Sequence, residues 1–364
     1  MRPPTARQTV RRAMRSCAGQ ASGVPTGALR ATELRGLPVG TARAMAQRRA
    51  LLGAFAGCWT AWPLVSRSAP DKKVHRIGTL CAGDGSIRYF WEQFRALGYE
   101  EHRNVEYVLK DVDATGDLPG HAAKLVAGNV DVIVACSNDE AQAAMRATSR
   151  IPIVLLYGDV LVETGIVASL AQPGGNVTGT SAISTDLVRK SVEIFKEAVP
   201  SLRNVALLTN VRHPVGKVLH AAAEEAAKQI GLAVATRHVG DGAGLAEAFA
   251  AMSRDRPDGI VVGTTLGHQI HQVIAFASRE RLPAMYPFAP AVWQGGLMAY
   301  SPNWLPQSNR NAQILDRILK GAQPRDIPIE QPVRYSLSIN LRAARAMSLT
   351  IPQAVLLRAT TLIE

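Results

Sequence analysis

From Val74 onward the sequence alternates short β-branched runs with amphipathic stretches of helical period, and it does so in two consecutive series. That alternation constrains the fold more than any other feature. Strands separated by helices cannot return as hairpins, so they must line up in parallel with helices covering both faces. The first series has strands at Arg76–Leu80, Val105–Leu109, Asp131–Ala135, Ile153–Leu156 and Val177–Thr180. Helices are expected between them at Ile87–Leu97, His121–Ala127, Ala141–Thr148 and Leu161–Leu170. In the first helix Phe90, Phe94 and Leu97 fall on one face, and Gly98 follows at the position where a left-handed residue ends a helix. Pro173-Gly174-Gly175-Asn176 is a tight turn into the fifth strand.

The second series has strands at Asn204–Leu208, Ala233–His238, Gly259–Val262, Pro283–Tyr286 and Gly296–Tyr300. Its helices are expected at Leu187–Val199, Val218–Ile230, Leu245–Met252 and Gln269–Arg279. A helix at Gln307–Lys320, a Pro-rich link, a strand near Tyr335–Ile339 and two short helices, Leu341–Met347 and Gln353–Leu357, complete the chain. The fold class is α/β, with two doubly wound parallel-sheet lobes joined by a hinge. Residues 74–184 with about 301–330 are assigned to one lobe and 185–300 to the other, while 331–364 is a tail that either lobe could hold. A chain of 364 residues, 47% of them apolar, is long enough for two such cores.

The formal charge of +12 suggests a polyanion partner until it is located. The first 68 residues hold eleven arginines against the single acid Glu33, so the body is nearly neutral and no nucleic-acid partner is expected. Within this basic segment Arg48-Arg49 precedes an uncharged run from Ala50 to Val65, and Ser66 and Ser68 stand at −3 and −1 of a signal-peptidase site. Residues 45–68 are therefore read as an export signal cleaved near Ser68, placing the protein in the periplasm. Arg48–Leu52 also resembles a twin-arginine signal, so the export route stays open. Residues 1–44 are expected to be disordered, or an over-extended reading frame upstream of a start at Met45.

In open parallel sheets, ligands gather beyond the carboxyl ends of the strands, where helix N-termini present unpaired N–H groups. In the first series those ends carry Gly83 and Asp84, then Ser137 and Asn138, then Gly158 and Asp159, then Ser181. In the second they carry Asn210, then Thr264 and Thr265, then Tyr286 and Phe288. Such a set suits a small polar solute, with Asp159 or Asp84 meeting an ammonium and Tyr286 or Phe288 forming an apolar wall. Each residue also has a plainer role, since Ser, Asn and Asp at these junctions cap helices and buried aromatics pack cores. Cys81 and Cys136 end the adjacent first and third strands; a disulfide is geometrically open to them, and two buried thiols are the expectation.

No nucleophile elbow, dinucleotide loop or phosphate loop is present, so no catalytic residue and no cofactor is assigned. His268 and His271 are three apart without a carboxylate or third histidine nearby, and no metal site is assigned.

Three segments carry a family resemblance: Ser169–Gly179 (SLAQPGGNVTG), Gly295–Asn303 (GGLMAYSPN) and Ile318–Pro332 (ILKGAQPRDIPIEQP). On these the body resembles the ABC-transporter substrate-binding proteins of the tryptophan/tyrosine type. The resemblance implies a type I periplasmic binding fold that closes on a solute by hinge bending and delivers it, as a monomer, to the membrane permease of an ABC importer. It also implies ligand contacts at Ser137, Asn138, Asp159, Ser181 and Asn210. Gly158-Asp159-Val160 departs from the family's usual Gly-Asp-Pro, and Ala289-Pro290-Ala291 from its usual charged segment. A ligand-sensing regulator and an α/β enzyme using the interlobe cleft are the alternatives. A repressor would need a helix-turn-helix where the apolar run Ala50–Val65 stands.

Overall fold

The computed structural model describes residues 73–81, 86–108, 116–240 and 244–364. The segment 45–68 expected to be an export signal, the stretch 1–44 and the loop with Gly83 and Asp84 lie outside the described residues. The body divides into two α/β lobes around a five-stranded and a seven-stranded sheet.

The first sheet has the order β2-β1-β3-β4-β5, built from β1 (His75–Leu80), β2 (Val105–Val108), β3 (Val132–Ala135), β4 (Ile153–Asp159) and β5 (Val177–Ile183). Every pairing in it is parallel. Helices α1 (Ser86–Ala96), α2 (Leu118–Ala127) and α3 (Asn138–Ala147) connect its first four strands. One face packs on α2 and α3 through Leu125, Ala141 and Ala144. The other packs on α1 through Phe90 and Phe94, both fully buried, each worth roughly 1.5–3 kcal/mol of transfer free energy. Residues 161–170, expected to be a helix, form successive turns instead. Gly165 takes a left-handed φ of 73° there, while Leu161, Ile166 and Val167 still pack into the core without a helix to carry them.

The second sheet has the order β12-β11-β10-β9-β8-β6-β7. Its strands are β6 (Asn204–Thr209), β7 (Ala233–His238), β8 (Gly259–Val262), β9 (Ala284–Tyr286), β10 (Met298–Pro302), β11 (Tyr335–Asn340) and β12 (Thr361–Ile363). Only β10 and β11 pair antiparallel. One face is covered by α4 (Thr185–Ala198) and α5 (Pro214–Gln229), the other by α6 (Gly244–Asp255), α7 (Ile270–Glu280) and the short α8 (Ala289–Trp293). Helix α9 (Trp304–Leu319) leaves this lobe and packs on the first, burying Ala312, Ile314 and Leu315 beside Phe90. The C-terminal strands, with α10 (Leu341–Ala346) and α11 (Gln353–Leu356), belong to the second sheet's side, and Arg358 pairs with Glu197 of α4.

The chain passes between the lobes at Ile183–Ser184, at Pro302–Asn303 and along the segment 327–334. That last segment lies beside β5: Ser181 donates its N–H to Glu330 O, and Glu330 donates to Gly179 O. Gly179 has no substitute here, because a Cβ would lie 1.9 Å from Leu155 O and its φ is 141°. Opposite this close approach the β4–β5 register shifts between Leu155 and Gly158 and again at Asp159. Such irregularities re-aim a strand end, and here the strand end is Asp159.

Candidate functional site

The carboxyl ends of the two sheets face each other across the hinge, and the lobes touch there. His213 precedes α5, and its Nε2 lies 2.8 Å from Asp139 Oδ1 in α3. Asp159 ends β4; its Oδ1 accepts the N–H of Ile183 at 3.1 Å, and it hydrogen-bonds the side chain of Thr264 from the other lobe. Burial pushes the Asp159 carboxyl up to about 7, although the Ile183 N–H, the Thr264 hydroxyl and nearby His213 all favour its ionised form. Nearer the hinge the cleft is aromatic. Trp304 at the start of α9 packs edge-on against Tyr157 with centroids 4.7 Å apart, and Phe288 reaches the same ring from the second lobe at 5.8 Å. Val160 and Ala182 meet Val215 and Leu219 in the same interlobe cluster.

Several of the expected ligand contacts also hydrogen-bond within the scaffold. Asn138 is 5% exposed, donates through Nδ2 to Asp159 O at 2.7 Å and accepts Asp159 N–H on Oδ1 at 2.8 Å. It fixes the end of β4, and through it the carboxyl of Asp159. Ser137 is the N-cap of α3, where one Glu140 oxygen accepts the N–H groups of Cys136 and Ser137. Asn210 Oδ1 accepts from Arg212 N–H and His213 N–H, an Asx turn that starts α5 and sets His213 in place. Thr265 Oγ1 accepts from Asn210 N–H at 3.2 Å. Ser181 is buried, with its backbone tied to Glu330. At Gly158 a Cβ would lie 2.5 Å from Leu161 Cδ2, so a side chain there would force the buried Leu161 to shift.

Tyr286, expected as an aromatic wall, is 2% exposed and packs mainly in the core, while also bordering a cavity of the second lobe. Strand alternation turns its ring away from Met285 into the core of the opposite face, where Gly296 is small enough to admit it. Of the expected set, Asp159, Thr264 and Phe288 are brought to the cleft with their side chains engaged across it. His213 and Trp304 join them without having been expected. The signal for His213 is weak but present: it follows the turn residue Asn210 and stands directly before Pro214, which opens α5.

Cys81 and Cys136 form a disulfide, with S–S at 2.04 Å, and are not the two buried thiols expected. The reason is register: Leu80 pairs with Ala135, so the residues that follow leave adjacent strands side by side, with Cα atoms 5.1 Å apart. Glu140 lies close to both sulfurs, yet with the sulfurs bonded to each other the trio is a cross-link beside a capped helix. His268 and His271 fall on either side of the break between the 3-10 turn Thr264–Gln269 and α7, both exposed. Among the described residues no helix is long and apolar enough to cross a membrane.

Comparison with known proteins agrees with this architecture. The family model described as ABC transporter substrate binding protein matches residues 84–363. A tyrosine-binding protein of Clostridioides difficile (strain R20291) is 24% identical over 271 residues, covering 73% of this chain and 77% of the relative. A conserved domain protein from Vibrio cholerae O1 biovar El Tor is 26% identical in its solved structure, with a TM-score of 0.72 over 80% of this chain and 99% of that one. An ABC domain from Streptococcus pneumonia, solved in complex with L-Trp, is 23% identical with a TM-score of 0.73, covering 80% of this chain and all of its own. With the family model spanning most of its length, the chain belongs to the ABC transporter substrate-binding proteins.

Proposed function

We propose that the protein works outside the cytoplasm, captures an aromatic amino acid between its lobes and presents the closed form to a membrane permease. The observation that carries this reading is Asp159. Its carboxyl stands at the meeting of the lobes, is bonded from both, and is the acid best placed to receive a ligand's ammonium. The rings of Tyr157, Phe288 and Trp304 supply aromatic surface in the same cleft. The relatives whose titles name tyrosine and L-Trp support the choice of ligand class. The contacts of His213 with Asp139 and of Thr264 with Asp159 are of the kind made only when the lobes are together. A ligand that adds contacts to that state shifts the population toward it, and the permease recognises the result.

Export follows from the segment 45–68, and the protein acts as a monomer without cofactor or turnover. The test is calorimetry of the purified protein against the amino acids, small organic acids and sugars, with small-angle scattering on any hit. Saturable binding of an aromatic amino acid with compaction is expected. Chemical conversion of the bound compound, or the absence of any amino-acid ligand, overturns the reading.

A further inference from the structure

Beside Asp159 the second lobe is hollow. A cavity of about 540 Å³, its open mouth included, lies between the α4–α5 layer and the carboxyl ends of β6, β8 and β9. Its lining is mostly apolar, with Leu187, Leu219, Ala223, Val261 and Met285 prominent. Ile183 and Thr264, the two residues that hydrogen-bond the Asp159 side chain, both belong to that lining. A ligand with its ammonium at Asp159 therefore has an apolar chamber adjoining it.

Within this chamber His220, on α5, is a polar group with capacity to spare. Its Nε2 lies 3.2 Å from Thr236 Oγ1 and 3.6 Å from Glu224 Oε2. The nearby carboxylate favours the tautomer with the proton on Nε2, directed at Thr236 Oγ1, and that tautomer leaves Nδ1 as an acceptor. Nδ1 is buried and has no hydrogen-bond partner among the described residues. Of the neighbouring hydroxyls, Ser191 donates to Leu187 O at 2.8 Å and Thr209 meets Thr265, while Tyr286 and Tyr300 also border the chamber. A buried acceptor is seldom left unpaired unless something arrives to pair with it.

We infer that His220 is a specificity-determining residue of the proposed amino-acid site, its Nδ1 accepting a hydrogen bond from a donor on the ligand's aromatic ring. The inference rests on the amino-acid reading and narrows it. A phenol O–H or an indole N–H satisfies Nδ1, whereas a phenyl ring desolvates it and leaves it unpaired. Tyrosine or tryptophan is thereby favoured over phenylalanine by between about tenfold and a hundredfold, the usual cost of stranding one buried polar group.

Calorimetry with tyrosine, tryptophan, phenylalanine and 4-fluorophenylalanine tests this on the purified protein. The fluorinated ring approaches tyrosine in size and lacks the donor, so it should bind like phenylalanine. His220→Leu should close the gap by weakening tyrosine or tryptophan while leaving phenylalanine unchanged, and His220→Gln, which keeps an acceptor, should preserve part of it. Equal affinity for phenylalanine, tight binding of 4-fluorophenylalanine, or a gap that survives His220→Leu overturns the inference while amino-acid capture stands. Failure of every amino acid to bind overturns both. Should His220→Leu not fold, as judged by its melting curve, the fluorinated ligand on the unaltered protein decides alone.

Discussion

The imidazole Nε2 of His213 lies 2.8 and 3.0 Å from the two oxygens of Asp139, and this pair joins one lobe to the other. Asp139 is half exposed and His213 about a quarter, so solvent screens the contact. A pair of this kind is worth about 0.2–1 kcal/mol. That sets its role as a bias on closure, with little bearing on the stability of either lobe.

His213→Ala should therefore weaken ligand affinity two- to fivefold and leave the melting temperature of the unliganded protein within a degree or so. Asp139→Asn should match it, and the double variant should lose no more than either alone. Titration calorimetry measures all three. Fully additive losses would show that the two residues act separately.

On the proposed reading, Asp159 makes binding depend on pH. Its carboxyl titrates near 7 in the unliganded fold against an ordinary value of 3.8, with burial the main cause. Between those two values the folded protein holds a proton that the unfolded chain has lost. Stability from this group is thus full below about pH 4 and declines as pH rises through 7. A cationic ligand reverses the preference by favouring the carboxylate. Affinity should be level above pH 7 and fall toward tenfold per unit below it, with proton release on binding. Calorimetry in buffers of differing ionisation enthalpy reads that release, and Asp159→Asn should flatten the profile. A flat profile in the unaltered protein would remove Asp159 from ammonium recognition.

The lobes were legible because strand and helix leave different periods, and because Gly98 and Gly231, both at positive φ, mark where helices stop. The stretch 161–170 misled for the same reason. Its apolar spacing mimics a helix, while the left-handed backbone at Val160 and Gly165 bends the chain into turns that bury the same residues. The three-residue β12 is too short to leave a period. At the site, Asp159 was legible as a carboxylate at a strand end. The hold of the Asn138 amide on the Asp159 backbone was not legible, because a strand-end amide reads the same whether it caps, anchors or binds. Trp304 owes its position to how the lobes meet, which no local pattern encodes, and for His213 the turn at Asn210 and Pro214 gives only its place before α5.

The disulfide closes a loop with a sequence separation of 55 between Cys81 and Cys136. Constraining a loop of that length in the unfolded chain is worth about 4 kcal/mol in the entropy model. Cys81→Ser with Cys136→Ser should lower the melting temperature by several degrees. Peptide mapping without reductant should recover the two cysteines linked. Recovery of both as free thiols from protein folded in an oxidising compartment would contradict the cross-link.

Val160 offers the sharpest test of the local backbone. It follows Asp159 where the family that this chain resembles usually has proline, yet its φ is 43°. A proline ring holds φ near −65°, so the departure from the family pattern goes with a backbone that proline cannot adopt. The Val160 N–H also donates to Ile183 O at 3.1 Å, a bond that proline lacks. Its side chain is buried against the second lobe's Val215 and Leu219 in the interlobe cluster. Val160→Pro, although it restores the relatives' residue, should destabilise the protein by about 3 kcal/mol and displace Asp159 enough to weaken binding at least tenfold. Thermal melts and calorimetry on this variant measure both. A fully stable Val160→Pro protein with undiminished affinity would mean that the strand end can relax to the proline geometry without moving the Asp159 carboxyl.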